Sequence, residues 1–288
     1  MALLSPAVLR RLSKMSLRSA SRSAGRGAGD LRSSGRGQSQ EFADHRPYVP
    51  GDDLRFVDWH LMARHDAIWV KLFEGESDRT VQLMLDSSAS MGGEKLDYAR
   101  RIAAGLAWIS LGRRDRVMVA ALSDKLAAYS PPRRGRGAAS SVFKSLENIR
   151  PGGGTGLSAA LAECPRQRGA SVVCLFSDLL FDDALESVLG RLRVRGTEVH
   201  LFHVLSAADL RPELHGDIVV VDSETREEVA ITVDSAALDR YEAHMRSWAE
   251  ERARICRRLG IGYTGLFTRV PAEDVLLYGL REAGVVGR

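Results

Sequence analysis

The sequence predicts an α/β fold: a doubly wound, mostly parallel sheet with one antiparallel edge strand, an N-terminal charged segment and a small β-hairpin insertion. Three observations predict it. The runs Val81–Leu85, Val117–Leu122 and Val172–Phe176 are almost wholly apolar, as strands covered on both faces are. Stretches with helical apolar spacing separate such runs, which is the pattern of crossover connections. A tight turn at Ser123-Asp124-Lys125 joins Val117–Leu122 to Leu126–Ser130, and this hairpin supplies the antiparallel edge.

Residues 1–37 read as a basic flexible tail, with a short basic helix from Ala7 to about Leu17 followed by a Ser/Gly/Arg linker. Residues 38–78 differ in kind. Arg46, Asp52, Asp53, Arg55, Asp58 and Arg64 alternate in sign at close spacing among Tyr48 and Trp59, which predicts loops and short strands held by ion pairs, packed on the sheet. Ile68–Phe73 reads as a strand. The main domain occupies residues 79–288. Lys95–Gly112 is a helix with Leu96, Ala99, Ile102, Leu106 and Ile109 on one face. Ser140–Ile149, Leu157–Glu163 and Asp182–Arg193 are further helices, and Val199–Leu205 is a strand. Residues 215–234 carry the hairpin insertion, Asp217–Asp222 with Glu227–Val233. A long amphipathic helix, Ala236–Leu259, follows behind Ser235 as N-cap, and a strand (Gly262–Phe267) and a helix (Ala272–Ala283) finish the layer.

Composition narrows the function. The chain has 288 residues, 44% of them hydrophobic, enough for one core of ordinary size. Of its 41 Lys and Arg residues eight precede Gln38, against Asp30 alone among the acids, so the remainder is slightly acidic. No specific nucleic-acid surface is expected there. Anionic membrane or nucleic acid would be met through the basic tail. No stretch reaches the roughly 18 apolar residues of a membrane helix. Cys164, Cys174 and Cys256 show neither pairing nor metal spacing, which indicates a reducing compartment and a cytoplasmic protein. His60, His65, His200, His203, His215 and His244 share no metal spacing either.

The residues that carry chemistry stand at strand ends, where open α/β sheets bind ligands. Asp86, Ser88 and Ser90 follow the first sheet strand at spacing i, i+2, i+4, which points three oxygen-bearing side chains one way. Asp178 closes a second strand, and Thr155 sits in the Gly-rich run Gly152–Gly156. Two carboxylates and three hydroxyls make a hard oxygen set suited to Mg²⁺, Mn²⁺ or Ca²⁺. The bland alternative is an Asp that caps its own loop and serines that satisfy backbone groups. The glycine run is no phosphate cradle, because it lacks the Lys that such loops place before Ser or Thr.

The order Asp-x-Ser-x-Ser, Gly-Gly-Thr, Ser-Asp resembles the metal-ion-dependent adhesion site of von Willebrand factor A domains. A narrower resemblance spans about residues 38–283: Arg46–Arg64 (RPYVPGDDLRFVDWHLMAR), the LDSSASM run and the C-terminal helix–strand–helix look like the bacterial family called domain of unknown function 58. The resemblance implies a von Willebrand A-like, Rossmann-like fold with Asp86, Ser88, Ser90, Thr155 and Asp178 as metal ligands. It further implies a non-enzymatic adaptor that takes an acidic side chain of a protein partner, a MoxR-type AAA+ ATPase or its client, in assembly or maturation of a complex. The rival is a metal-dependent phosphatase or hydrolase. That chemistry needs an acid two residues after Asp86, and Ser88 stands there.

Overall fold

The computed structural model describes residues 3–18, 41–64, 67–74, 79–154, 156–167, 171–181, 185–193, 197–221 and 227–287. The chain divides into two compact units, Arg26–Ser77 and the combination of Met1–Gly25 with Asp78–Arg288.

In chain order the elements are α1 (Pro6–Leu12), β1 (Ser16–Leu17), β2 (Glu41–Pro47), α2 (Trp59–Met62), β3 (Trp69–Glu74), β4 (Thr80–Asp86) and α3 (Glu94–Gly112). Then come β5 (Arg116–Leu122), β6 (Leu126–Arg134), α4 (Ala139–Asn148), α5 (Leu157–Glu163), β7 (Ser171–Ser177), α6 (Leu185–Leu192), β8 (Thr197–Leu205) and α7 (Ala207–Leu210). The chain continues through β9 (Gly216–Val221), β10 (Glu228–Val233), α8 (Ser235–Arg258), β11 (Gly262–Phe267), α9 (Ala272–Asp274), α10 (Leu280–Glu282) and β12 (Val286–Gly287).

The larger unit is built on a six-stranded sheet in the order β11-β8-β7-β4-β5-β6. Every neighbouring pair is parallel except β5 with β6. Along β4 and β7 every residue is buried, and alternate residues enter two different cores. Val81, Leu83 and Leu85 join Val172, Cys174 and Phe176 on one side, with α3 and α4. Met84, Val173 and Leu175 face the other, with α5, α6 and Cys256 of α8. The strict alternation of buried side chains explains the continuous apolar runs and gives the mixed α/β architecture that the sequence predicts. The insertion hairpin, β9 with β10, pairs from Gly216↔Val233 to Val221↔Glu228.

Two expectations change. Asp234, not Ser235, caps α8: its carboxylate accepts the Ala237 N–H at 2.6 Å. The expected tail over residues 1–37 is structured at its start. Leu4, Val8, Leu12 and Leu17 are buried in the same core as α3 and the C-terminal helices. The Trp108 indole N–H donates to the Leu9 carbonyl at 2.8 Å, and β1 pairs antiparallel with β12. The basic residues of α1 lie on its outer side, so composition alone reads as a tail. The rest of that expected tail, residues 19–37, lies outside the described residues.

The smaller unit pairs β2 antiparallel with β3. Among the described residues Arg46, Asp52, Asp53, Arg55 and Asp58 are paired as expected, and Arg64 is not among the pairs. The Arg46 guanidinium donates twice to Asp52 at 2.7 Å, Arg55 pairs with Asp53, and Asp58 accepts from His45 at 2.9 Å and pairs with Lys71 at 3.5 Å. The His45 contact holds the Asp58 carboxyl down at about 2.

On β8, His200 packs against Gly262 of the neighbouring strand. A Cβ at Gly262 would sit 2.1 Å from His200 Nδ1, so glycine is what admits the ring. Burial pushes the His200 imidazole down to about 4. A histidine depressed in the folded state favours folding above its unfolded value, roughly 6.5. That stability is lost as pH falls from about 6.5 toward 4, by up to about 3 kcal/mol. Urea unfolding of wild type and His200→Gln across this window should show the variant's free energy falling less; parallel curves would remove the assignment.

Candidate metal centre

The site lies at the carboxyl ends of β4, β7 and β8, where the sheet order brings distant parts of the chain together. Asp86 is the last residue of β4 and is fully buried. Its Oδ1 accepts the Ser88 N–H at 2.9 Å, and its Oδ2 accepts the Ser177 hydroxyl at 2.7 Å. Ser177 in turn accepts the Leu179 N–H at 2.9 Å. The Ser88 and Ser90 hydroxyls stand 3.0 Å apart, brought together by the bend and turn that follow β4 and not by an extended backbone. Ser88 is buried and Ser90 is partly exposed.

Asp178 follows β7 and is also fully buried. Its Oδ1 accepts the Leu180 N–H at 3.2 Å, the same local turn that Asp86 makes with Ser88. Its Oδ2 takes a hydrogen bond from the Lys95 ammonium at 2.7 Å. Lys95 stands on the first turn of α3 and also reaches Asp209 at 3.2 Å. Asp209 is held by a capping box on α7, in which Ser206 N–H and hydroxyl donate to its Oδ2 at 2.8 and 2.9 Å. Behind Asp178, His203 Nε2 meets the Asp178 carbonyl at 3.0 Å and Nδ1 meets the Tyr263 hydroxyl at 2.7 Å. Burial pushes His203 down to about 4, so the neutral ring bridges the two.

Thr155 lies outside the described residues. The loop leading to it is tied to the Asp86–Ser90 segment. Ala89 N–H donates to the Gly153 carbonyl at 3.1 Å, and Gly152 N–H donates to the Ser87 carbonyl at 2.8 Å. Gly153 has φ of 79°, and a Cβ there would come 3.2 Å from Asp124 Oδ1. The positive φ is what calls for glycine, and the Cβ contact adds crowding against the Asp124 side chain. Asp124, in the β5–β6 turn, thus flanks the same loop.

The structure brings together Asp86, Ser88, Ser90 and Asp178, and adds Ser177, Lys95 and Asp209, which sequence reasoning did not assign to the site. Ser206-x-x-Asp209 carries a readable capping signature. Lys95 carried no signal beyond its place at the start of an amphipathic helix.

The residues fit a hard divalent cation. Among the described residues Asp86 has no basic partner, and burial, with Asp178 nearby, pushes its carboxyl up to about 6. A buried carboxylate in that state is stabilised by a cation. Three carboxylates, Asp86, Asp178 and Asp209, against the Lys95 ammonium leave two net negative charges, which the two positive charges of a divalent cation would neutralise. The donors are oxygens only. Among the described residues no three His, Cys, Asp or Glu side chains converge as ligands, here or elsewhere, so the donor set rests on two carboxylates and on hydroxyls.

Residues 44–252 match the family described as "Protein of unknown function DUF58". An uncharacterized protein of Mycobacterium tuberculosis is 27% identical over 234 residues, covering 77% of this chain and 72% of its own. One from Mycobacterium bovis matches to the same extent. Among solved structures, the conserved hypothetical protein BatB from Bacteroides thetaiotaomicron aligns with a TM-score of 0.40 at 15% identity, over 72% of this chain and 98% of its own. An aerotolerance-related membrane protein from Bacteroides fragilis aligns at 0.36 and 14%, with the same coverage. No helix among the described residues is long and apolar enough to cross a membrane.

Proposed function

The chain belongs to the DUF58 family, and on that premise we propose that it is a von Willebrand A-like, non-enzymatic interaction module that binds a divalent cation and a partner's carboxylate. Asp86, Ser88, Ser90, Thr155 and Asp178 would hold the ion, with Mg²⁺ favoured by the all-oxygen set. Bound there, the ion supplies a localised positive charge that an incoming Asp or Glu side chain can ligate. The observation that carries the reading is Asp86: a fully buried carboxylate at a strand end, beside two converging hydroxyls and with no basic partner among the described residues.

The surrounding residues support holding rather than chemistry. The Ser177 hydroxyl reaches Asp86, but it is fully buried and braced by the Leu179 N–H, so it presents no nucleophile to a substrate. Both ring nitrogens of His203 are engaged by groups behind the site. A partner of the MoxR AAA+ class, or its client, is the proposal that family resemblance supports. The hydrolase reading gains one feature, the Lys95 ammonium beside Asp178, which could neutralise a phosphoryl group. It still lacks an acid at Ser88. Phosphate release from a generic ester by wild type, abolished in Asp86→Asn, would favour it.

The test is direct. Mg²⁺ at about a hundred times its dissociation constant stabilises a protein by about 2.7 kcal/mol, a rise in Tm of roughly 5–10 °C for a chain of this size. Wild type should show that rise, with EDTA reversing it, and Asp86→Asn should show none. Co-purification of a MoxR-type ATPase should follow the same pattern. Equal recovery by wild type and Asp86→Asn, with and without EDTA, would overturn the proposal.

A further inference from the structure

A second site lies far from the strand ends in sequence and in chemistry. A cavity of about 680 Å³ opens between α1 and the C-terminal helices. Arg10, Arg11, Lys14 and Arg281 line it, and among the described residues no acidic side chain does. Met15 and Leu277 give it an apolar floor. Arg11 is held in place: its guanidinium donates to the Tyr278 hydroxyl at 2.7 Å and lies 5.3 Å from the centre of that ring. Arg10, Lys14 and Arg281 have no ion-pair partner among the described residues, whereas the arginines of the smaller unit, Arg46 and Arg55, are matched to aspartates.

Four like charges around one hollow repel each other, and the arrangement becomes favourable when an anion enters. Guanidinium groups match phosphate oxygens with two parallel hydrogen bonds. The volume lies within the range of small-molecule sites, roughly 300–1,000 Å³, and is far larger than one phosphate requires. The apolar floor calls for a ligand with an apolar body behind its charged head. We infer that this cavity binds a phosphate ester with an apolar body, a class that includes anionic phospholipid headgroups and soluble phosphorylated metabolites. The site is independent of the proposed metal centre and stands whether or not that reading does.

Titration calorimetry with monomeric dihexanoyl phosphatidic acid tests binding, and co-sedimentation with phosphatidylcholine vesicles, with and without phosphatidylglycerol, separates the two sources. Arg10→Glu/Arg281→Glu leaves the Arg11–Tyr278 contact and the buried face of α1 intact, and its fold is checked by circular dichroism and thermal unfolding. Arg240→Glu/Arg254→Glu, two exposed charges on α8, is the charge-matched control. The double variant should bind the soluble lipid at least about tenfold more weakly than wild type, since it loses two sets of charge-assisted hydrogen bonds. The control should not change. Vesicle binding lost in the same variant assigns a membrane headgroup; vesicle binding unchanged, with soluble binding lost, assigns a free phosphate ester. Equal binding of the soluble lipid by wild type and the folded double variant would overturn the site, as would its absence in both. Binding that responds only to neutralising the basic residues of 22–36 would overturn it too.

Discussion

Replacing Lys95 by Met is expected to destabilise the larger unit by about 3–5 kcal/mol in metal-free buffer. Methionine keeps most of the apolar stem and removes the ammonium. Lys95 is 5% exposed and Asp178 is not exposed, so the carboxylate is left in the interior with a single backbone hydrogen bond, from Leu180. Breaking one half of a buried pair costs far more than the pair itself contributes. The double variant Lys95→Met/Asp178→Asn removes both charges and should recover most of the loss. A cycle of the two singles and the double, measured by chemical denaturation, isolates the coupling. A cost below about 1 kcal/mol for Lys95→Met would mean that the pair is not structural. Mg²⁺ adds a second readout. If the ammonium and the ion share Asp178, Mg²⁺ should stabilise Lys95→Met by more than it stabilises wild type. A smaller gain in the variant would show that Lys95 supports the ion.

The sheet and most of the proposed ligand set are legible in the sequence because they depend on local rules. Val81–Leu85 and Val172–Phe176 are apolar throughout, and the residues that follow them fall at the strand ends that open sheets use for ligands. Ser88 and Ser90 do come together, but in a bend and turn beyond the end of β4 and not by strand alternation. The pairing of residues far apart in the chain has no such local signal. Lys95 and Asp178 are separated by 83 positions and Lys95 and Asp209 by 114; they meet only because β4, β7 and β8 are neighbours. The turn at Asp124 is readable as a turn, but its approach to Gly153 is not. The N-terminal segment misleads for a different reason. Its Arg and Lys residues dominate the composition, while its four buried side chains are diluted among them, and an average over the segment hides a helix that is amphipathic.

Leu12→Ala puts that helix to the test. Leu12 is fully buried against α3 and the C-terminal helices, in the largest core of the chain. Truncating it should cost about 2–5 kcal/mol, as a buried leucine cavity usually does, read as a lower urea midpoint with an unchanged slope. Removing residues 1–18 altogether exposes the partners of Leu4, Val8, Leu12 and Leu17 at once. At about 1.5–3 kcal/mol for each side chain, the loss is comparable with the whole stability of a typical domain, so the truncated chain should lose cooperative unfolding or come out of solution. Trp108, whose indole N–H donates to the Leu9 carbonyl, should report the change as a red-shifted emission when that helix leaves. A truncation with wild-type stability would restore the reading of this segment as a tail. The same helix limits how the basic cavity can be probed. Deleting the N-terminal residues cannot serve as a charge test, because the helix that carries Arg10, Arg11 and Lys14 outward carries Val8 and Leu12 inward. Charge reversals at Arg10 and Arg281 separate the two roles, since both side chains are exposed and neither belongs to the core.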